Sequence, residues 1–304
     1  MRHVLDKDKF NFKFSKDIDP IVRINSRDTV VFKTRDAHNQ TVPKGKDVVF
    51  PDMDLKDTNP VNGPVYVNDA VFGDILALKI KKIKLGKEGF VPARKNMGSL
   101  KNIASKNLAR NMQITDNLII FSDEIKIPVR PMLGTIGVAP NGEEVYSVFV
   151  GNHGGNMDNN DIKEGSIIYL PVFVPGALLS AGDVHASMGD GELTSGGVDI
   201  PAEVHIEVEL IKDKKLTSPL IETKDSFIVT SFDSDFYNAN RAATSEMITL
   251  LKKSLNISDV EAYWLISICG DLKISQACDF PSGLTLRLAF PKINNLISRD
   301  NIFR

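Results

Sequence analysis

The feature that most constrains the fold is a strict two-residue alternation in "PAEVHIEVELIK", residues 201–212. Its apolar positions are Ala202, Val204, Ile206, Val208 and Leu210, and the positions between them are Glu203, His205, Glu207 and Glu209. Because successive side chains of a strand point to opposite faces, the pattern predicts a strand with one buried and one solvated face. "GDILALKIKKIKL" alternates in the same way, and "DNLIIFSDEIKIPV" has the pattern of two strands joined by a turn. Strands therefore follow strands, which predicts a mainly β fold of sandwich or barrel lobes rather than a doubly wound sheet.

The pattern changes near residue 235, where helical spacing replaces alternation. "NANRAATSEMITLLKKSL" places its apolar side chains along one face of a helix. "SDVEAYWLISICGDL" predicts a second helix, N-capped by Ser258 and ending near Gly270, and "GLTLRLAFPK" predicts a closing strand. A small α+β segment is therefore expected near the C-terminus.

These patterns also predict how the chain is divided. Residues 1–225 are expected to form a β-rich body, with an internal barrel-like lobe at about 40–130 and glycine-rich loops at 131–200. Residues 226–304 are expected to form the α+β segment, packed on that body.

Composition narrows the classes of partner. The formal net charge is -2, so no overall basic field points to a nucleic acid or an anionic membrane. No apolar run approaches the roughly 20 residues of a membrane span, and the opening "MRHVLDKDKFNFKFS" lacks the apolar stretch of a signal peptide. A cytoplasmic protein is the expectation. The two cysteines, Cys269 and Cys278, do not form a disulfide framework.

The segment "AGDVHASMGDGEL" concentrates acids and a histidine among glycines. On an extended backbone, Asp183 and His185 at positions i and i+2 point the same way, so both can reach one ion. Glu192 follows a Gly-Asp-Gly turn that can fold it back towards the same point. A metal-assisted hydrolytic site is one interpretation, and a glycine-rich turn whose acids cap backbone amides is the other.

His153 stands beside His185 as a candidate ligand, and the other histidines are weaker candidates. His153 lies in "GNHGGNMD", where dense glycine indicates close backbone approach or positive φ. His38, two residues after Asp36 in "TRDAHNQ", suits either a site or an ordinary loop, whereas His205 is expected to be a solvated surface residue.

Imidazole together with carboxylate oxygens favours Zn²⁺, and an oxygen-rich neighbouring position would suit Ca²⁺. A bound cation would polarise a carbonyl group and activate water near neutral pH, and a spare carboxylate such as Glu192 would then carry protons.

Several ordered motifs resemble those of the acetamidase/formamidase family. They are "NPVNGPVYV", "PMLGTIGVAP", "GNHGGNMD", "LPVFVPGALLSAGDVHASMGDGE" and "EAYWLISICGDLKISQ". The resemblance implies hydrolysis of a short amide, a largely β architecture, a bound metal ion and a homo-oligomer, with a dimer as the first expectation. The polar positions that match are Asp36, Gln40, His153, Asn156, Asp158, Asp183, His185, Asp190, Glu192, Asp271 and Gln276. The chain departs from the family pattern at Asp199, where glutamate is expected, and at Ser187 and Met188.

The leading hypothesis is a metal-dependent amidohydrolase acting on short linear amides such as formamide and acetamide. The predicted metal ligands are His153, Asp183 and His185, with Asp36 as a further candidate, and the predicted catalytic residues are Glu192 and Asp190. The predicted substrate-binding residues are Asn156, Asp158, Gln40 and Gly155. Two alternatives stay open: an amidase that uses Cys278 or Cys269 as nucleophile, and a non-catalytic β-sandwich binding protein stabilised by Ca²⁺.

Overall fold

The computed structural model of the chain describes residues 1–280, 283–293 and 296–303. Over these residues the backbone is dominated by β-strands, with three α-helices near the C-terminus and one short 3-10 helix at Leu55–Asp57. The strands are β1 (Arg2–Leu5), β2 (Phe10–Asn11), β3 (Lys13–Phe14), β4 (Val22–Ile24), β5 (Thr29–Thr34), β6 (Asp47–Val49), β7 (Val61–Val67), β8 (Ile75–Leu85), β9 (Glu88–Ala93), β10 (Leu108–Thr115), β11 (Leu118–Ile120), β12 (Lys126–Pro128), β13 (Met132–Gly137), β14 (Val145–Tyr146), β15 (Val150–Gly151), β16 (Gly154–Asn156), β17 (Ile167–Pro171), β18 (Leu179–His185), β19 (Ala202–Ile211), β20 (Leu220–Glu222), β21 (Ser226–Asp233), β22 (Asp271–Phe280) and β23 (Gly283–Pro291). The helices are α1 (Phe236–Leu255), α2 (Asp259–Cys269) and α3 (Arg299–Ile302).

The strands form two large sheets and two smaller ones. The largest sheet has nine strands in the order β1-β5-β19-β8-β17-β20-β21-β23-β22. A seven-stranded sheet has the order β15-β16-β13-β18-β7-β2, with β4 also paired to β7. A five-stranded sheet is built around β10, and β3 pairs with β14. The mainly β prediction is confirmed, and within the described ranges these sheets stay open rather than closing into barrels.

Alternation along β8 explains how the layers stack. Leu76, Leu78 and Ile80 point into the main core, which they share with β13 and β18 of the seven-stranded sheet. Ile75 and Ala77 point to the other face, where α1 and α2 pack. The nine-stranded sheet is therefore the middle layer, between the seven-stranded sheet and the helices, and each of its faces buries an apolar row.

The elements predicted near the C-terminus are confirmed. Helix α2 begins after Ser258, whose side chain and that of Glu261 form a reciprocal capping box, and it ends at Gly270. Strand β19 shows the predicted alternation of buried and half-buried positions. The boundary predicted near residue 225 falls in the hairpin between β20 and β21, and the division into a body and a C-terminal segment stays a prediction.

None of the helices in the described part of the chain is both long and apolar enough to cross a membrane.

Candidate active site

Three buried side chains, two on one strand of the seven-stranded sheet and one just after another of its strands, form a group that can hold a metal ion. Asp158, Asp183 and His185 each offer one ligand atom, and these atoms lie within 4.8 Å of one another. Asp183 and His185 are on β18, and Asp158 follows β16. Strand β13 pairs with both β16 and β18, which brings the three residues together from two separate segments of sequence.

The backbone at this group is specialised. Asp158, Asp183 and Glu192 all adopt positive φ angles, of 42°, 54° and 47°. Such conformations cost roughly 1–3 kcal/mol each in non-glycine residues and cluster at functional sites. Gly134 on β13 faces the two aspartates, and a Cβ there would lie 2.6 Å from Asp158 Oδ1 and 2.8 Å from Asp183 Oδ2. Only glycine leaves room for both carboxylates.

Side-chain amides fix one oxygen of each carboxylate. Asn59 Nδ2 donates to Asp183 Oδ2 at 3.1 Å, and Asn156 Nδ2 donates to Asp158 Oδ2 at 2.6 Å. Gln276 Nε2 donates to Asp158 Oδ2 and to Glu192 Oε2, both at 2.7 Å. These bonds orient the carboxylates, as the partners of metal ligands do in metal sites.

The remaining oxygens fit a cation. Asp158 Oδ1 and Asp183 Oδ1 are buried and have no hydrogen-bond partner. His185 Nε2 lies 3.3 Å from Asp183 Oδ1, without the orientation of a hydrogen bond. Buried polar atoms without partners are costly, and a divalent ion bound by two carboxylates and an imidazole would satisfy them.

Asp199 and His38 extend the group. Asp199 Oδ1 lies 3.1 Å from His185 Nε2, and Asp199 Oδ2 lies 3.5 Å from His38 Nδ1. The preceding Gly197 packs on the imidazole, because a Cβ there would come within 2.8 Å of His185 Cγ. Asp199 enters no sequence-based site prediction, although the "GGVD" glycines were a signal of close approach.

Burial and charge shift the pKa values of the acids and of His185. Burial opposes the charged form of His185, but Asp183 and Asp199 outweigh it and hold its pKa well above the usual value. Burial, then Glu192 and Asp183, raise the pKa of Asp158 well above its usual range. Burial raises the pKa of Glu192 to about 7, against the opposing effects of His185 and Gln276. The group thus retains protons that a bound cation would displace.

A cavity of about 20 Å³ lies against this group. Its polar lining includes Asn59, Asn156, Asp183, His185, Glu192, Asp199 and Gln276, and its apolar lining is Ala37, Val148 and Cys278. Arg94 and Thr58 line both this cavity and an outer one of about 260 Å³. Arg94 Nε donates to His38 Nε2 at 3.2 Å, so the guanidinium group lies at the boundary between the two.

The other predicted ligands lie outside the three-residue group. His153 is buried against Phe14, with ring centroids 5.0 Å apart, and its Nε2 has no hydrogen-bond partner. Burial alone lowers the pKa of His153 to about 4. Asp36 Oδ1 accepts hydrogen bonds from the backbone N–H groups of His38 and Gln40, both at 3.0 Å, so this oxygen caps the backbone of its own loop.

Some of the predicted catalytic and substrate-binding residues lie in the buried site and others lie outside it. Glu192, Asn156 and Asp158 belong to the buried site. Gln40 is exposed, and Gly155 lies in β16, where a Cβ would come 2.2 Å from the Phe149 carbonyl oxygen. Asp190 is half-exposed in a separate cavity of about 550 Å³, where it accepts hydrogen bonds from Arg287 and Asn160, both at 2.7 Å.

A mainly β chain with this buried acid–histidine group has clear relatives. The sequence matches the acetamidase/formamidase family over residues 2–149 and 145–292, so the chain belongs to this family. A formamidase of Methylophilus methylotrophus is 46% identical over 63 residues, which cover 20% of this chain and only 16% of that protein.

Solved structures match over nearly the whole chain. The crystal structure of a predicted acetamidase/formamidase from Thermoanaerobacter tengcongensis is 36% identical, with a TM-score of 0.93 over 100% of this chain and 99% of the other. The crystal structure of an acetamidase from Bacillus halodurans is 34% identical, with a TM-score of 0.90 over 96% and 98%. The described architecture is therefore shared with these two solved structures.

Proposed function

We propose that the chain is a metal-dependent amidohydrolase that cleaves short linear amides, of the formamide and acetamide type, to the carboxylate and ammonia. The observation that carries this proposal is the pair of buried carboxylate oxygens of Asp158 and Asp183 that have no hydrogen-bond partner and lie beside His185. Asp183 and His185 also line a small cavity. Family membership and the names of the relatives, formamidase and acetamidase, support an amide as the substrate.

Asp158, Asp183 and His185 would hold the cation, with Zn²⁺ as the first choice and Ca²⁺ as the second. When bound there, a divalent cation polarises a carbonyl group and lowers the pKa of water. Asn59, Asn156 and Gln276 keep the ligand oxygens aimed at one point by holding the other oxygen of a carboxylate.

Glu192 is the proposed proton carrier. Its carboxyl group lines the cavity, and Gln276 fixes Oε2 at 2.7 Å. It takes a proton from the attacking water as the new C–O bond forms, and it gives that proton to the nitrogen as the C–N bond breaks. A carboxyl group that lines the cavity beside the proposed ligands is placed to accept and release a proton in this way.

The test is ammonia release from formamide, acetamide and propionamide by chelated protein, with and without restored Zn²⁺ or Ca²⁺. Turnover that disappears on chelation and returns with the metal supports the proposal. Silence on all three amides in fully metal-loaded protein overturns it, and metal-dependent stability without turnover would favour the binding-protein alternative.

The same experiment separates a thiol mechanism. Cys278 lines the cavity, so it is the cysteine to consider. Burial, then Glu192 and Asp158, raise the pKa of its thiol far above the usual value, which leaves it protonated and weakly nucleophilic. Turnover that survives verified metal removal would favour Cys278 nonetheless.

We also propose a homo-oligomer, first a dimer, and a cytoplasmic location, which rest on the resemblance and on composition. Size-exclusion chromatography with light scattering tests the oligomeric state.

A further inference from the structure

We infer that helix α2 and the open edge of strand β22 form the surface on which a second copy of this chain docks, about a two-fold axis at Leu272. The inference rests on the homodimer of the proposed function and deepens it by naming the surface and the pairing of the two copies. It does not depend on what the acid–histidine group binds or cleaves.

Helix α2 carries apolar side chains on two opposite faces. Ala262 and Ile266 are buried in one cluster with residues of α1 and β23. The opposite face holds a stripe of exposed apolar side chains at helical spacing, Val260, Tyr263, Trp264 and Ile268. Trp264 is 62% exposed and Ile268 is 77% exposed. Because a helix that is apolar all round is normally buried, this outer face is expected to be covered by another surface.

The apolar stripe continues onto the edge of the nine-stranded sheet. Helix α2 leads through Gly270 directly into β22, the last strand of that sheet. Leu272 lies opposite Leu288 of β23, whose side chain packs in the cluster with α1 and α2. Leu272 and Ile274 therefore face the helix side, and both are exposed. Together these side chains form the α2–β22 surface, which consists of Val260, Tyr263, Trp264, Ile268, Leu272 and Ile274.

The outer edge of β22 is open over Asp271–Ile274 and covered beyond it. Gly191 N–H donates to the carbonyl oxygen of Ser275 at 3.0 Å, and the Gly191 carbonyl oxygen accepts from Ala277 N–H at 2.8 Å. In the described parts of the chain, no further strand pairs with the outer edge of residues 271–274. An open strand edge beside an apolar surface is a template for pairing with another chain.

The charges on this edge favour a second copy as the partner. Asp271 and Lys273 flank Leu272, and both are exposed. When two copies pair antiparallel about a two-fold axis at Leu272, each Asp271 lies opposite the partner's Lys273. An axis at Lys273 would set two lysines opposite each other, and it would need the covered edge at Ser275. A lysine alone on an edge strand discourages pairing, whereas this Asp–Lys pair is complementary to itself.

The same axis brings the two apolar stripes together. Opposed side chains of an antiparallel pair lie on one face of the sheet, so both α2 helices lie on the same face of the joined sheet. Helix α1 lies on β21 and β23, and α2 packs on α1 and leads into the edge strand. Strand pairing would then satisfy the open backbone groups while the stripes cover each other. An interface of this isologous kind closes at two copies.

The first experiment uses the wild type alone. Trp264 is the single tryptophan of the chain, so tryptophan emission reports on the α2–β22 surface. Emission and molar mass by light scattering are measured over one dilution series. We expect the emission to move to longer wavelength as the dimer dissociates, with the same midpoint as the mass. Emission that stays constant while the dimer dissociates would overturn the placement of Trp264 in the interface.

The second experiment places a charge on the surface. Trp264→Asp and Ile268→Asp are each expected to raise the dimer dissociation constant about 30-fold or more, as loss of a buried apolar anchor does. Phe72→Asp is the matched control, because Phe72 is 69% exposed in the turn before β8 and lies away from β22. It is expected to leave the constant unchanged. Sedimentation equilibrium measures the constant, and circular dichroism checks that each variant is folded.

The third experiment tests the pairing at the axis. Lys273→Glu would set two acids opposite each other, and it is expected to weaken the dimer about tenfold. The double variant Asp271→Lys with Lys273→Glu reverses both charges and is expected to restore the dimer. A double variant as weak as Lys273→Glu would overturn the axis at Leu272.

The outcomes separate the proposals. Wild type that stays monomeric up to about 100 μM overturns the dimer and this surface together. A dimer that both aspartate variants leave intact overturns the surface alone. Monomeric wild type whose Trp264 emission responds to phospholipid vesicles would assign the surface to a membrane instead. Ammonia release by metal-loaded wild type decides the amide hydrolysis separately from all of these.

Discussion

Two buried histidines, His185 and His153, lie in similar glycine-rich sequence motifs, but the groups around them shift their pKa values in opposite directions. Both lie among glycines, and both are predicted metal ligands. His185 lies beside two carboxylates, Asp183 and Asp199, and its pKa is held well above the usual value. His153 packs on Phe14, and burial alone lowers its pKa to about 4. The difference teaches that a buried histidine takes its chemistry from the charges around it, not from its motif.

The largest expected effect is a loss of amide turnover, and it tests the difference between His185 and His153 directly. His185→Ala removes one of three proposed ligands, so amide turnover is expected to fall roughly 10⁴-fold as several kcal/mol of barrier lowering disappear with the metal. His153→Gln is expected to retain the metal and to keep turnover within about tenfold of the wild type. Metal content by mass spectrometry and ammonia release measure both. Metal loss in His153→Gln but not in His185→Ala would reverse the two roles.

A second pair of residues gives the next effect. Asp190 and Glu192 are two positions apart in the sequence. Glu192 is buried and lines the small cavity at the acid–histidine group, whereas Asp190 lines the separate cavity of about 550 Å³. Burial raises the pKa of Asp190, but Arg287 and Asn160 outweigh it, so the net shift is downward. Glu192→Gln is expected to lower kcat about 10²–10⁴-fold with the metal retained.

Asp190→Asn is the matched variant, with an expected loss below about tenfold. The catalytic role that the sequence predicts for Asp190 stays a prediction until these kcat values are compared. Equal losses in the two variants would support that role and would contradict a special position for Glu192.

The fold was predictable wherever one local pattern decides it. Alternation predicts β19, and the Ser258 cap and Gly270 predict the limits of α2. The two-residue spacing of Asp183 and His185 likewise brings their side chains together.

The rest of the site depends on strand pairing, which no local pattern encodes. Asp158 reaches the group because β16 and β18 both pair with β13, and Asp199 reaches it through an isolated bridge to His185. Asn59 comes from the segment before β7 and is equally remote in sequence. His153 has the right motif but lies outside the three-residue group, because its ring turns to Phe14.

The third prediction concerns the contribution of His153 to the pH dependence of folding stability. Its pKa is about 4 in the folded protein and about 6.5 when unfolded, so between these values the unfolded chain binds the proton more strongly. The stabilisation by neutral His153 is complete above pH 6.5 and is lost as the pH falls to about 4, by on the order of 3 kcal/mol. Urea unfolding of wild type and His153→Gln at pH 7.5 and 5 measures this. Equal pH dependence in both proteins would contradict the assignment.

The smallest expected effect concerns Asp199, which lies between His185 and His38. Asp199→Asn removes a charge that orients and supports a proposed ligand, and loss of such a partner typically weakens metal binding 10–100-fold. Competition with a chelator of known affinity measures the change. Unchanged affinity would show that Asp199 serves packing alone.

The most direct test of the central claim is anomalous diffraction from crystals of the Zn²⁺-loaded protein. The account predicts one strong peak about 2.0–2.2 Å from an oxygen of Asp158, an oxygen of Asp183 and a nitrogen of His185. A peak at His153 instead, or full amide turnover in crystals without a peak between these three residues, would contradict it.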